Sequence, residues 1–182
     1  LRPGTERVIL ETFDMRLGTA RWSLLQEASV TYGDAYRISN LLLYSDQQQL
    51  AADGVIDFDG MQSLIVTIDG VEIGAFTDLL GFEGLGGKLS GTLDMSGAAE
   101  RPRMAGTLNL DVRSFDQEVG RLRLGLNYDS LRTQVDALLT HRDGSTLTMN
   151  GQVPTDLRLS ASDTSDVMND PVDLTLAAET FS

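Results

Sequence analysis

Lys88-Leu89-Ser90-Gly91-Thr92-Leu93-Asp94-Met95-Ser96-Gly97, with its near copy Arg103-Met104-Ala105-Gly106-Thr107-Leu108-Asn109-Leu110 fifteen residues on, decides the fold. Leu89, Leu93 and Met95, then Met104, Leu108 and Leu110, keep one phase of a two-residue period, with Gly91 and Gly106 in the same phase. A period of two is that of a β-strand with one apolar face. Working outward, the alternation recurs in Phe13, Met15 and Leu17, and in Leu50, Ala52, Gly54, Ile56 and Phe58. It continues through Leu64, Val66 and Ile68, through Leu122, Leu124, Leu126 and Tyr128, and through Val135, Ala137 and Leu139. Leu147, Met149 and Val153, then Leu157 and Leu159, then Leu174 and Leu176 complete the series.

Turn signals separate these runs: Tyr32-Gly33-Asp34, Asp59-Gly60, Asp69-Gly70, Ser96-Gly97, Arg101-Pro102 and Arg142-Asp143-Gly144. They predict roughly a dozen strands of about 7 residues, at the spacing of antiparallel all-β chains. One short helix of one or two turns is predicted near residues 76–82, where Phe76, Leu79 and Leu80 share a face and Gly81 ends it.

The chain repeats itself. Residues 38–56 align without gaps on 135–153, with Leu41/Leu138, Leu42/Leu139, Asp46/Asp143, Leu50/Leu147 and Gly54/Gly151 identical. Such nesting predicts one section of a repetitive array over 1–182. Its internal repeats cover approximately 20–76 and 115–181, around a glycine-rich hairpin unit at 84–112. The tail from Val172 echoes the segment from Ile65, so the next repeat is expected to begin where this chain stops.

Strands apolar on one side make a sheet with one dry face, and no amphipathic helix of useful length is available to cover it. The sheet must close on itself as a sandwich or barrel, or curl around something else. The expected architecture is an elongated, curled antiparallel sheet, an open trough with an apolar interior. At ~3.3 Å per residue and ~4.8 Å between strands, its cross-section arc is about 23 Å and its length about 55 Å. The lining is expected to consist of the Leu, Ile, Val, Met and Phe positions of the alternating runs above, together with Trp22, Leu24, Ile38 and Leu42.

Composition narrows the partners. Leucine fills 28 of 182 positions against 11 aromatics, and Lys88 is the one lysine. That aliphatic, aromatic-poor set suits hydrocarbon better than flat or sugar-like ligands. A net charge of -13 argues against nucleic acid, whose phosphates need clustered Lys and Arg, and against docking on anionic headgroups. No Cys is present, which excludes disulfides, thiolate catalysis and Cys-ligated zinc.

Nothing in the chain asks for an enzyme, a cofactor or a metal. In Gly81–Leu89 the spacing of a phosphate-binding loop fails at Phe82 and at Leu89, and a strand rather than a helix follows. His141 is the lone candidate general base. It ends a strand opposite Tyr44 in the repeat, which reads as an amphipathic ring at a rim. Asp57-Phe58-Asp59-Gly60 lacks the spacing of a calcium loop and reads as a strand end and turn. Asp53, Asp94, Asp111 and Asp136 sit on the polar phase of their strands, a solvated face.

The run Leu79–Gly97, followed by Arg101-Pro102-Arg103-Met104-Ala105-Gly106-Thr107-Leu108, resembles a hallmark unit of TamB proteins and the wider AsmA-like group. That unit is a leucine-glycine strand, a small-residue turn, a basic residue before proline, then a second leucine-glycine strand. Thr148–Pro154 also resembles the family's strand ending in Gly-x-Val/Leu-Pro. The resemblance covers most of residues 20–180 and lacks the family's closing C-terminal segment, which implies an internal section. It implies a large periplasmic protein of Gram-negative bacteria, anchored in the inner membrane by an N-terminal helix absent here. The implied fold is a β-taco, similar to bridge-like lipid transfer proteins, whose groove shelters phospholipid acyl chains on their way to the outer membrane. An outer-membrane β-barrel partner, TamA, would be engaged through other parts of the protein. Two alternatives stand beside it: templating of nascent outer-membrane proteins on open strand edges, and a closed β-sandwich of adhesin type.

Overall fold

The computed structural model describes residues 6–79, 81–115, 117–159 and 170–179, with Asp78 and Leu79 given by backbone alone. Strands β1 (Glu6–Leu10), β2 (Asp14–Leu17), β3 (Ala20–Leu24) and β4 (Ala28–Tyr32) are short. The body is built from β5 (Ala35–Ser45), β6 (Gln48–Asp57), β7 (Met61–Glu72), β8 (Leu85–Ala98), β9 (Arg101–Ser114), β10 (Gln117–Asp129), β11 (Arg132–His141) and β12 (Thr146–Pro154), with β13 (Asp173–Glu179) at the edge. The one helix among the described residues, α1 (Gly74–Leu79), lies between β7 and β8. It begins two residues before the predicted start; the shared face expected of Leu79 and Leu80 lies outside the described residues.

All thirteen strands belong to one antiparallel sheet, in the order β1-β4-β5-β6-β7-β8-β9-β10-β11-β12-β13, with β2 paired to β3 and β3 to β5 off this path. The sheet is open, neither a sandwich nor a barrel.

The sheet curls, and the reason is visible where glycine faces leucine. A Cβ built on Gly106 would meet Leu93 Cδ2 at 2.4 Å, and one on Gly91 would meet Leu108 Cδ2 at 2.8 Å. Each of these pairs has room for one side chain, the leucine, so the strands bend more tightly toward that face than two branched residues would allow. Gly54 adds a backbone requirement: its φ is +143°, and a Cβ there would lie 1.9 Å from the Ser63 carbonyl oxygen. The curl brings distant strands together. Trp22 of β3, Leu43 of β5 and Val71 of β7 form one buried cluster, with Leu50 of β6 packed against it. The β2–β3 turn reaches α1, where a Cβ on Gly18 would stand 3.1 Å from the Ala75 Cβ. In a flat sheet β2 would be four strand spacings, ~19 Å, from β7.

Several expectations need correction. The central strands run to 12–14 residues, about twice the predicted length, because Asp69-Gly70 and Ser96-Gly97 do not turn the chain. Gly70 (φ +60°) and Gly97 (φ +90°) sit inside β7 and β8. The first lies in a bulge between Ile68 and Val71, where its N–H donates to Ser90 Oγ at 2.9 Å. Leu42 pairs with Ala51 whereas Leu43 pairs with Leu50, so Leu42 faces away from the apolar side and Leu41 and Leu43 face it. Leu157 and Leu159 are not in a strand; they belong to a segment that runs along one rim of the apolar face.

Candidate apolar groove

Cross-strand partners share a face, so the register converts the alternating pattern into rows that run across the strands. One row reads Gly54, Leu64, Met95, Met104, Tyr128, Thr133, Val153. The next reads Ala52, Val66, Leu93, Gly106, Leu126, Val135, Gly151, Leu174. A third reads Leu24, Leu43, Leu50, Ile68, Gly91, Leu108, Leu124, Ala137, Met149, Leu176. The fourth reads Val71, Leu89, Leu110, Leu122, Leu139, Leu147, Ala178. Rows stand ~6.6 Å apart, and the third crosses ten strands, ~43 Å at ~4.8 Å per spacing.

Among the described residues the rows are sheltered by the curl and, at the Tyr128 rim, by residues 155–159, rather than by a second layer. In β7, β9 and β11 the groove-facing positions are half-buried or buried, while most of their neighbours on the other phase are exposed. The outer face carries Asp53, Asp94, Asp111 and Asp136, all exposed. There Arg121 Nε donates to Asp111 Oδ1 at 3.0 Å.

The remaining candidates from the sequence fall at the margins. Ile38 pairs with Gly54, and Ile56 with Tyr36, on the groove side. Phe58 lies just beyond β6, its ring edge-on to Tyr36 with centroids 5.7 Å apart. Met15 and Leu17 pair with Trp22 and Ala20, and Phe13 precedes them in the same phase. Trp22 is 4% exposed and Leu17 and Leu24 pack against it, so these three fill one end of the groove instead of lining an open stretch. Leu174 and Leu176, on the edge strand, are largely exposed. Sequence reasoning missed Leu41, Leu43 and Val71, which a bulge in β5 and another in β7 bring into phase.

It also missed a strap. After β12 the chain runs along one rim of the groove: Thr155 N–H donates to the Leu131 carbonyl at 3.0 Å, Leu157 N–H to Tyr128 Oη at 3.2 Å, and Leu159 N–H to the Ala99 carbonyl at 3.1 Å. Residues 155–159 therefore pass over β11 and β10 to the β8–β9 turn. Tyr128 beneath them is 1% exposed. Arg158 Nη2 lies 2.7 Å from Asp156 Oδ2 on the strap itself, and this ion pair holds the Asp156 carboxyl below its usual range.

The polar clusters serve turns. Asp57 accepts from Asp59 N–H at 3.0 Å, its own N–H donates to Gln62 Oε1 at 3.1 Å, and its carbonyl accepts from the Gln62 amide. His141 takes the last groove-side position of β11, opposite Gly120, whereas Tyr44 faces outward with Gln49; the repeat does not make them equivalent in facing. His141 Nδ1 lies 2.9 Å from Asp143 Oδ1. Asp143 accepts from Ser145 Oγ at 2.6 Å and from Ser145 N–H at 2.8 Å. These two donors, with His141 after them, hold its carboxyl well below the usual aspartate value of 3.8. A folded-state pKa below the unfolded one means the turn's contribution is complete above about pH 4 and is lost as pH falls through the depressed value. Asp143→Asn is expected to shrink the fall in melting temperature between about pH 5 and about pH 2; an unchanged fall would mean the carboxylate does not hold the turn. Among the described residues no group of three or more His, Cys, Asp or Glu is placed to hold a metal ion.

No protein-family model matches the chain, and neither the curated proteins nor the solved structures gave a significant match.

Proposed function

We propose that the groove shelters the acyl chains of phospholipids, and that the chain is a passive section of a lipid conduit rather than an enzyme. The observation that carries this reading is the set of four apolar rows, continuous across the strands and, apart from the rim under the strap and the end filled by Trp22, covered by no second layer among the described residues. Moving an acyl chain out of a bilayer forfeits ~0.8 kcal/mol per CH₂, about 12 kcal/mol for sixteen carbons. A carrier must return nearly all of that. Rows of leucine, valine and methionine at constant spacing offer a path without a deep trap, and the headgroup stays in water at the slit along the trough's open side.

The resemblance to TamB and AsmA-like proteins supports the same reading and extends it. The section would work in the periplasm, within a protein anchored in the inner membrane, and pass lipid toward the outer membrane beside a TamA-like barrel. Capture of a pyrene-acyl phosphatidylglycerol from phosphatidylethanolamine/phosphatidylglycerol vesicles tests it. Saturable capture at about one lipid or more per chain is expected, and no capture above that of a protein without a groove refutes it.

A further inference from the structure

We propose that residues 14–24, the β2–β3 hairpin, form a hinged flap that gates one end of the groove; the inference rests on the lipid-groove reading and adds a regulation to it. The first four strands are one long hairpin interrupted at the same level on both arms. Leu10 pairs with Ala28 on one side of the break, and Asp14 pairs with Ser23 on the other. Between them, residues 11–13 and 25–27 are non-strand and exposed throughout. Two exposed three-residue links side by side make a hinge.

The two halves also bind β5 separately. β4 lies along its first half and β3 along its second, through the pairs Ser23 with Tyr44 and Leu24 with Leu43 and one hydrogen bond from the link itself, Leu25 N–H to the Leu42 carbonyl at 2.9 Å, which sets the pivot at Leu25. Between these contacts β5 itself breaks register, with Asn40 at φ +58°. The flap is internally braced: across its outer side Asp14 accepts from Ser23 Oγ at 2.6 Å and pairs with Arg21 at 3.3 Å. It can therefore move as a unit.

What holds it shut is the apolar side. Trp22 sits in the cluster with Leu43 and Val71, on the surface the third and fourth groove rows would otherwise present to a ligand. At the flap's tip the Gly18 turn rests on Ala75 of α1. The plug is made of the same contacts an acyl chain would offer, so hydrocarbon entering along the rows can replace Trp22 against Val71 and Leu43 at little cost. Met15, on the same side of the flap, is 40% exposed and would cover the entering chain.

Two measurements test this. By hydrogen exchange on the unmodified chain, the amides of 14–24 are expected to open as one block at least tenfold faster than those of β1 and β4; equal exchange on both sides of residues 11–13 and 25–27 would overturn the flap. The absence of native Cys permits a clean lock, Gly18→Cys with Ala75→Cys, oxidised by copper–phenanthroline and reversed by dithiothreitol. The oxidised form is expected to take up pyrene-acyl phosphatidylglycerol at least tenfold more slowly than the same protein reduced. Equal uptake in both states overturns the gate while leaving the groove reading intact. If the unmodified chain takes up no lipid, the groove reading fails, and with it the gating role, whereas the exchange comparison still decides whether the flap opens.

Discussion

Leu124→Lys is expected to reduce phospholipid capture at least tenfold while leaving the sheet folded. Leu124 stands mid-row between Leu108 and Ala137, near the middle of the longest row, and its neighbours in the register among the described residues, Leu122 and Leu126 included, carry no counter-charge. An ammonium placed there either stays in the groove, where hydrocarbon contact strips its water, or bends toward the slit and obstructs the path. A tenfold loss corresponds to about 1.4 kcal/mol, a small share of the ~12 kcal/mol at stake for one acyl chain. The protein itself pays little, because Leu124 is only half-buried. Thr107→Lys, one position from Leu108 but on the exposed face, is the matched control and should change capture by less than about twofold. Equal losses from both variants would show that net charge, not the groove, governs capture.

Tyr128→Ala should be the most damaging single truncation for stability. Its ring is fully buried at the strap end of the groove, and removing a large buried aromatic costs about 3–5 kcal/mol. At ~2–4 °C per kcal/mol for a domain of this size, the melting temperature falls by roughly 6–20 °C. The same variant removes the hydroxyl that receives Leu157 N–H, so tryptic cleavage at Arg158 should accelerate. Tyr128→Phe separates the two effects, keeping the ring and losing one hydrogen bond worth about 1 kcal/mol. Were Tyr128→Ala to melt within about 2 °C of the parent, the strap would not be a packed part of the fold.

The all-β class was readable because a period of two follows from strand geometry alone. Facing within each strand was readable wherever the strand runs without interruption, as in β9, β11 and the part of β10 from Gly120 onward. It failed at Leu42, and the failure has a definite cause. Ile38 pairs with Gly54 and Val135 with Gly151, so both hairpins of the repeat contain the same number of residues. The first places an extra residue in a bulge at Asn40 and closes with the tight turn Asp46-Gln47; the second keeps β11 regular and closes through residues 141–145. An ungapped alignment is blind to that exchange, since a bulge and a longer turn add the same length to the chain. The same blindness turned Gly70 and Gly97 into predicted turns, because glycine serves bulges and turns alike.

The flap and the strap were unreadable for another reason. β3 pairs with β5 and not with the strand that follows it, and no local period encodes a non-sequential partner. Leu157 and Leu159 keep a strand-like period in a segment held by single hydrogen bonds to Tyr128 and Ala99. Trp22 read as lining because it has the right phase; its burial depends on a curl that glycine–leucine pairs far along the chain create.

Photo-crosslinking inside the groove shows whether lipid or protein occupies it. p-Benzoylphenylalanine would replace Leu93, Leu124 and Leu139, one in each of three rows, with Leu138 on the opposite, exposed face as control. Illumination is carried out with phospholipid vesicles and an unfolded outer-membrane protein present together. Lipid adducts at all three groove positions, and few at Leu138, are the predicted result. Protein adducts alone at Leu93, Leu124 and Leu139, or lipid adducts equally abundant at Leu138, would contradict it.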